Sequence, residues 1–281
     1  MTIDLPARST GSQRRRELGA FLRSRRERLT CADVGLHVTG RRRTPGLRRE
    51  ELAMLTGIST TWLTYLEQGR NVRASPQVLD ALARTLRLTA AERTHVFDLA
   101  AEASPPSVVP VLAQTVSAIT QALDPNPAYV TAGDFEVLAW NPAAERLFPG
   151  LVVGWDGDRP NVARWLFFDP DAREVLPEWE SVAQDVLARL RAAAGRHPND
   201  PRYIELVQEL QAASVEAQSW WPRHDVRAST VGRKRVRHPE RGVLDLAHAA
   251  FAVADHPDQT LVVYLDQGAA RVKMDLSEAL G

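Results

Sequence analysis

The chain has one cysteine, Cys31, so no disulfide can close within it, and no Cys/His pattern has the spacing of a structural zinc site. A reducing compartment follows. No apolar run approaches the roughly 20 residues of a membrane span. The opening stretch "MTIDLPARSTGSQRRR" lacks the apolar core of a secretion signal. These absences read as a cytoplasmic protein with no membrane partner. Also missing are a Gly-rich phosphate loop, a G-x-S-x-G elbow, an H-E-x-x-H pair and any histidine pair at metal spacing. His224-Asp225 alone is not a catalytic site. The expectation is a non-enzyme with no metal and no cofactor.

What is present is length and an uneven charge. At 281 residues the chain exceeds the size at which one core stops growing, so two domains are expected. Its apolar fraction, 44%, and charged fraction, 25%, are those of a folded globular protein. The net charge of zero conceals a division: residues 1 to 100 hold 18 Arg, no Lys and 10 Asp plus Glu, net +8, while the remainder holds 17 basic against 25 acidic residues, net −8. Positive charge confined to one domain marks a binder of nucleic acid or another anionic surface, because each neutralised phosphate releases counterions.

Along the first hundred residues, the periodicity predicts five helices. "QRRRELGAFLRSRRERL" places Leu18, Leu22 and Leu29 on one face, with arginines around the rest. In "LRREELAMLTGIS", Leu52, Leu55 and Ile58 recur at helical spacing and Gly57 interrupts them, which reads as helix, tight turn, helix. Ser75-Pro76 is a serine cap followed by the residue that suits the first helical position, and Leu79, Leu82 and Leu86 form the next buried stripe. Thr89 and Glu92 make a capping box for a fifth helix through Ala101. "ASPPSVVP", with three prolines in eight residues, ends that helix and marks a linker. The domains are therefore placed at 12–102 and 111–268, with a Pro-rich linker at 103–110.

In "GISTTWLTYLEQGR", Leu63 and Leu66 pin a helix from behind and leave Thr60, Thr61, Thr64, Tyr65 and Gln68 outward. A helix that enters the major groove needs small hydrogen-bonding groups for base edges and methyls for thymine, and threonine supplies both. Arginines should stand beside that face to grip phosphates, and Arg48, Arg49, Arg70 and Arg73 do. Helix stops at Gly57 and Gly69 with a solvated basic surface are the plainer explanation of each sign taken alone. Together with the net charge of the domain they indicate a helix-turn-helix DNA binder. Trp62 borders the buried stripe and reads as core or phosphate-flanking. "RRR", Arg41 to Arg43, fits a phosphate or minor-groove contact and a solvated basic loop equally well.

"GLRREELAMLTGISTTWLTYLEQGR" followed by "SPQVLDALARTLRLTAAER" resembles the XRE-type (lambda-repressor-like) helix-turn-helix regulators over about the first hundred residues. The resemblance implies phosphate contacts at Arg49, Gln68 and Arg70, and base contacts at Thr60, Thr61, Thr64 and Tyr65. It also implies a homodimer on a palindromic operator, since one recognition helix reads a half-site. This chain departs from the family in presenting threonines where charged or amide residues are common.

After the linker, "VLAQTVSAITQAL" reads as a helix and "AYVTAGDFEVLAW" as two short strands around Gly133-Asp134. Residues 141 to 220 return to helical spacing. "STVGRKRVRHP", "GVLDLAHAAFAV" and "QTLVVYLDQ" read as three antiparallel strands turned at "PERG" and "DHPD". That order predicts an α+β domain with a five-stranded antiparallel sheet and helices over one face, a PAS-like plan. Arg233, Arg235 and Arg237 share one side of a solvated edge strand. Residues 107 to 267 resemble the MmyB-like ligand-binding domain through "VLAWNP", "NVARWLFFDP", "SWWPRHDV", "GRKRVRHPERG" and "DQTLVVYLDQ". The resemblance implies a fatty-acid-like ligand in an apolar tunnel with a polar mouth. Trp140, Phe168 and Trp221 stand in those motifs as candidate lining, with Asn141, Arg164 and His224 as polar partners for a carboxylate. Each aromatic alone fits a core position better. Arg164 paired with Asp169 or Asp171, and His224 at a helix end, are the structural alternatives. A ligand-free dimerisation module is the alternative for the whole domain.

Overall fold

The structure is a computed structural model and describes residues 6–36, 46–101, 112–152, 159–226, 231–254 and 256–266. The linker 103–110 and the arginine run 41–43 lie outside the described residues. The chain divides into two compact units. The first is Met1–Ser107 with Ala194–Ile204 and Trp220–Arg227; the second is Val108–Ala193 with Glu205–Ser219 and Ala228–Gly281.

The first unit opens with five helices: α1 (Pro6–Arg28), α2 (Arg49–Thr56), α3 (Thr60–Glu67), α4 (Pro76–Thr85) and α5 (Ala90–Ala100). Their starts follow the expected caps. The Ser75 hydroxyl accepts from Val78 N–H at the head of α4, and Thr89 and Glu92 close a reciprocal capping box on α5. Leu22, Leu52, Leu63, Leu82 and Val96 are fully excluded from solvent and form the core. Each such side chain contributes on the order of 1.5–3 kcal/mol. Gly19 is where α1 crosses α3: a Cβ there would stand 2.5 Å from the carbonyl oxygens of Leu66 and Glu67. Only a bare backbone allows that approach.

The α1 pattern departs from expectation. Arg14, Arg25 and Arg26 are buried alongside Leu18 and Leu22, so α1 is not a leucine stripe ringed by solvated arginines. Arg25 and Arg26 follow Leu22 by one helical turn and therefore point inward with it. Carboxylates meet them there: Arg25 Nε lies 2.7 Å from Glu92 Oε1, and Arg26 Nε lies 2.7 Å from Glu67 Oε1.

The second unit begins with α6 (Gln114–Ala122), β1 (Ala128–Thr131) and β2 (Val137–Trp140). There follow α7 (Pro142–Leu147), α8 (Pro149–Val152), α9 (Val162–Phe168), α10 (Asp171–Val175), α11 (Trp179–Arg196), α12 (Pro201–Ala213) and α13 (Val215–Trp220), of which the end of α11 from Ala194, the start of α12 to Ile204 and Trp220 belong to the first unit. The chain then forms β3 (Gly232–His238), β4 (Gly242–Val253) and β5 (His256–Leu265). The five strands make one sheet in the order β2-β1-β5-β4-β3, with every pairing antiparallel. β3 is an edge strand as expected, and Arg233, Arg235 and Arg237 are exposed on it. β5 starts earlier than "QTLVVYLDQ" implied, because His256 already pairs with Val253 and tightens the turn.

The register sets which side chains share a face. Tyr129 stands opposite Val262, Val262 opposite Ala250, and Tyr264 opposite His248, so these residues and Lys234 lie on one side of the sheet. An aromatic core packs there: the Phe148 ring lies 5.3 Å from Tyr264, 5.9 Å from Trp165 and 6.4 Å from Tyr129.

Candidate nucleic-acid interface and ligand cavity

In the first unit, α2 and α3 are joined by a turn built on Gly57, whose φ of 71° and ψ of 25° are left-handed. The Ile58 N–H returns to the Ala53 carbonyl at 3.0 Å and closes the turn. Ser59 then caps α3 by accepting from Trp62 N–H at 3.1 Å. Leu63 and Leu66 are buried behind α3. Thr61 and Gln68 are exposed, whereas Thr60, Trp62, Thr64 and Tyr65 are half-buried. Thr64 Oγ1 donates to the Thr60 carbonyl at 2.8 Å, which fixes its rotamer.

Arg48 is exposed at the N-cap of α2, and the Arg70 guanidinium stacks 4.3 Å above the Tyr65 ring. Tyr65 is thus covered on one face, and Arg70 is held beside α3. Arg49 is committed in part, since its Nε lies 2.7 Å from Glu67 Oε2 while 36% of the side chain stays exposed. Arg73 is exposed beyond α3 and, with Arg14 and Arg15, lines a cavity of about 310 Å³.

Glu67 is the residue that sequence reasoning passed over. Its side chain is 1% exposed and takes Arg26 through two hydrogen bonds, 2.7 and 3.0 Å, as well as Arg49. One carboxylate thereby fastens α3 to both α1 and α2. Arg26 also donates to the Leu47 carbonyl at 2.7 Å, fixing the entry to α2. The available signal was the spacing Leu63-Leu66-Glu67, which puts Glu67 on the buried stripe.

None of the six ligand candidates lines the cavity of the second unit. Asn141 is fully buried and saturated: its Oδ1 accepts from Ala128 N–H and Ala144 N–H, and its Nδ2 donates to the carbonyls of Thr120 and Asn126. It caps α7 and ties α6, β1 and α7 together, so its assignment as a ligand contact is corrected to a structural one. Arg164 pairs with Glu209 at 2.9 Å, not with Asp169 or Asp171. Phe168 is 37% exposed, and Trp140, half-buried, presents its carbonyl to Gln121. Trp221 and His224 fall in the segment Trp220–Arg227 of the first unit. His224 ends a short 3-10 turn, its Nδ1 lies 3.3 Å from Glu17 Oε1 and its carbonyl accepts from Arg25 at 2.6 Å. His224 takes the helix-end role.

That cavity, about 150 Å³, lies between α11 and the inner face of the sheet. Ser181, Asp185 and Arg189 reach it from α11 at four-residue spacing, and Tyr129, Lys234, His248 and Val262 reach it from the strands. Arg189 lies 5.1 Å from the Phe135 ring, and its Nε is buried without a hydrogen-bond partner. Burial lowers the Arg189 guanidinium, and burial followed by the neighbouring Arg189 charge pushes Lys234 down to about 8, against a smaller opposing effect of Asp185. Burial also lowers His248, whose ring stacks on Tyr264 at 5.8 Å. This cavity is lined by charged groups of both signs, Arg189, Arg233 and Lys234 with Glu178 and Asp185, and does not correspond to the apolar tunnel that the family resemblance implies. Sequence reading placed Lys234 on a solvated strand and did not single out Arg189.

Among the described residues, no helix is long and apolar enough to cross a membrane, and no group of three or more His, Cys, Asp or Glu is placed to hold a metal ion. A capped helix pair with a polar outer face and an α+β unit with a partly open cavity fit a two-domain DNA-binding regulator with a ligand-binding domain. Family comparison gives the same class: residues 17–96 match a helix-turn-helix domain, and residues 112–272 match the MmyB-like transcription regulator ligand binding domain. The second match spans more than half of the chain, which therefore belongs to the family of MmyB-like transcription regulators. No curated protein matches the chain significantly.

Proposed function

We propose that the chain is a cytoplasmic, sequence-specific regulator that binds a palindromic operator as a homodimer, with no catalytic activity of its own. Its DNA-binding domain spans 12–102, a linker spans 103–110, and the ligand-binding domain spans 111–268. Thr60, Thr61, Thr64 and Tyr65 read bases; Arg48, Arg49, Gln68, Arg70 and Arg73 hold phosphates. The observation that carries this reading is the clasp on Glu67: α3 is locked by a buried carboxylate while Thr61 and the arginines Arg48, Arg70 and Arg73 stay exposed. A rigid support of that kind is what a groove-reading helix needs.

The second domain binds a small, fatty-acid-like molecule, with Trp140, Arg164 and Phe168 as candidate contacts, and occupancy biases the arrangement of the two DNA-binding domains. A ligand has only to favour one arrangement over the other. Dimerisation through the sheet draws support from Val243, Phe251 and Leu265, which alternate onto the face opposite Tyr264 and are 42%, 55% and 45% exposed. The same observation favours the second reading, in which this domain is a ligand-free dimerisation module.

Selection from random duplex DNA by the full chain tests the main reading. The expected product is an enriched motif with two-fold symmetry and half-sites about one helical turn apart. Recovery of unrelated sequences after several rounds would refute it.

A further inference from the structure

Three cations, Arg189 from α11 and Arg233 and Lys234 from β3, and two carboxylates, Glu178 and Asp185, line one cavity in the second unit, and Asp185 is the carboxylate whose charge acts on Lys234. The excess is one positive charge. Arg189 Nε is buried with no hydrogen-bond partner, which is an unmet donor of the strongest kind in proteins. Arg189 and Lys234 also repel each other, so an anion between them relieves both. Above them the walls turn aromatic and apolar, with Tyr129, Val262 and the His248 ring stacked on Tyr264.

We propose that this cavity is a binding site for a small monocarboxylate, with the carboxylate between Arg189 and Lys234 and a planar body against Tyr129 and His248. The volume sets the size. At about 150 Å³ the cavity matches in volume the apolar cavity known to hold a benzene molecule. The ligand class is thus an aromatic or short aliphatic acid carrying one negative charge. This rests on the reading of the second unit as a ligand-binding domain and goes beyond it, adding a compact acid at a cavity that Trp140, Arg164 and Phe168 do not line.

Isothermal titration of the full, delipidated chain provides the test, with sodium benzoate, sodium acetate, sodium dodecanoate and uncharged benzyl alcohol at matched ionic strength. Benzoate is expected to bind about tenfold or more tightly than benzyl alcohol, because the charge is what the site lacks. Arg189→Gln is expected to remove that advantage, and Lys234→Met to do the same, with the circular dichroism spectrum and duplex binding of both variants unchanged. Benzoate affinity unaltered in folded Arg189→Gln would overturn the site. A tenfold preference for dodecanoate that survives Arg189→Gln would also overturn it, while leaving the ligand-binding reading of the domain intact. Failure of all four compounds to bind would remove the monocarboxylate proposal, and operator selection would still report separately on DNA binding.

Discussion

Arg26 of α1 and Glu67 of α3 face each other across the core of the first unit through two hydrogen bonds of 2.7 and 3.0 Å, both side chains excluded from water. A buried pair of this kind adds little compared with a well-packed apolar pair, but losing one partner leaves a charge with nowhere to go. Here the same carboxylate also holds Arg49.

Glu67→Gln is therefore expected to destabilise the first unit by about 3–5 kcal/mol, since two cations lose their counter-charge at once. Urea denaturation followed by circular dichroism measures this. A loss below about 1 kcal/mol would mean that the clasp is not what holds α3 in place.

Asn141 carries a second structural prediction. Asn141→Ala removes two acceptor and two donor bonds from a fully buried position, and on the order of 3 kcal/mol or more of stability should go with them. Near-wild-type stability with abolished ligand binding would instead restore Asn141 to the ligand site.

Legibility in the sequence followed the kind of signal. Caps and turns were readable because they are local: Ser75, Thr89 with Glu92, and Gly57 act within four residues of themselves. The five strands and their antiparallel sheet were readable from alternation and turn residues, but the pairing of β1 with β5 was not. Buried charge was not. Arg26, Glu67 and Arg189 look solvated in isolation, and only tertiary pairing or a cavity decides otherwise. Asn141 misled for the opposite reason, because a polar residue beside a tryptophan resembles a ligand contact until its four partners are known.

The DNA face separates two kinds of residue. Thr61→Ala should relax sequence preference and leave binding to random duplex nearly unchanged, at about 1–3 kcal/mol of lost discrimination. Arg48→Ala should weaken all duplexes alike and reduce the salt slope by about 1. Fluorescence anisotropy at several salt concentrations distinguishes them, and identical behaviour of the two variants would remove the assignment.

Lys234 gives a pH dependence with a definite sign. Its pKa is about 8 in the folded chain, lowered first by burial and then by Arg189, against a value near 10.4 when unfolded. Between those values the unfolded chain binds more protons, so stability rises with pH across that window; below about 8 both states are protonated and the burial penalty is present in full. Burial raises the Tyr129 and Tyr264 phenols and lowers His248, which moves all three away from that window. Relative to Lys234→Met, the wild-type chain should gain up to about 3 kcal/mol between pH 7 and pH 10, less whatever partial exposure screens. A pH-independent difference would show that Lys234 is solvated. Benzoate affinity should fall over the same range as the ammonium charge is lost.

The central claim is that α3 reads sequence from a locked frame. Its most direct test is the affinity of the full chain for the selected duplex against a shuffled duplex of the same composition, measured by anisotropy at about 0.15 M salt. A ratio of about 10³ or more is predicted, within the range of specific protein–DNA complexes. Equal affinity for the two duplexes would contradict it.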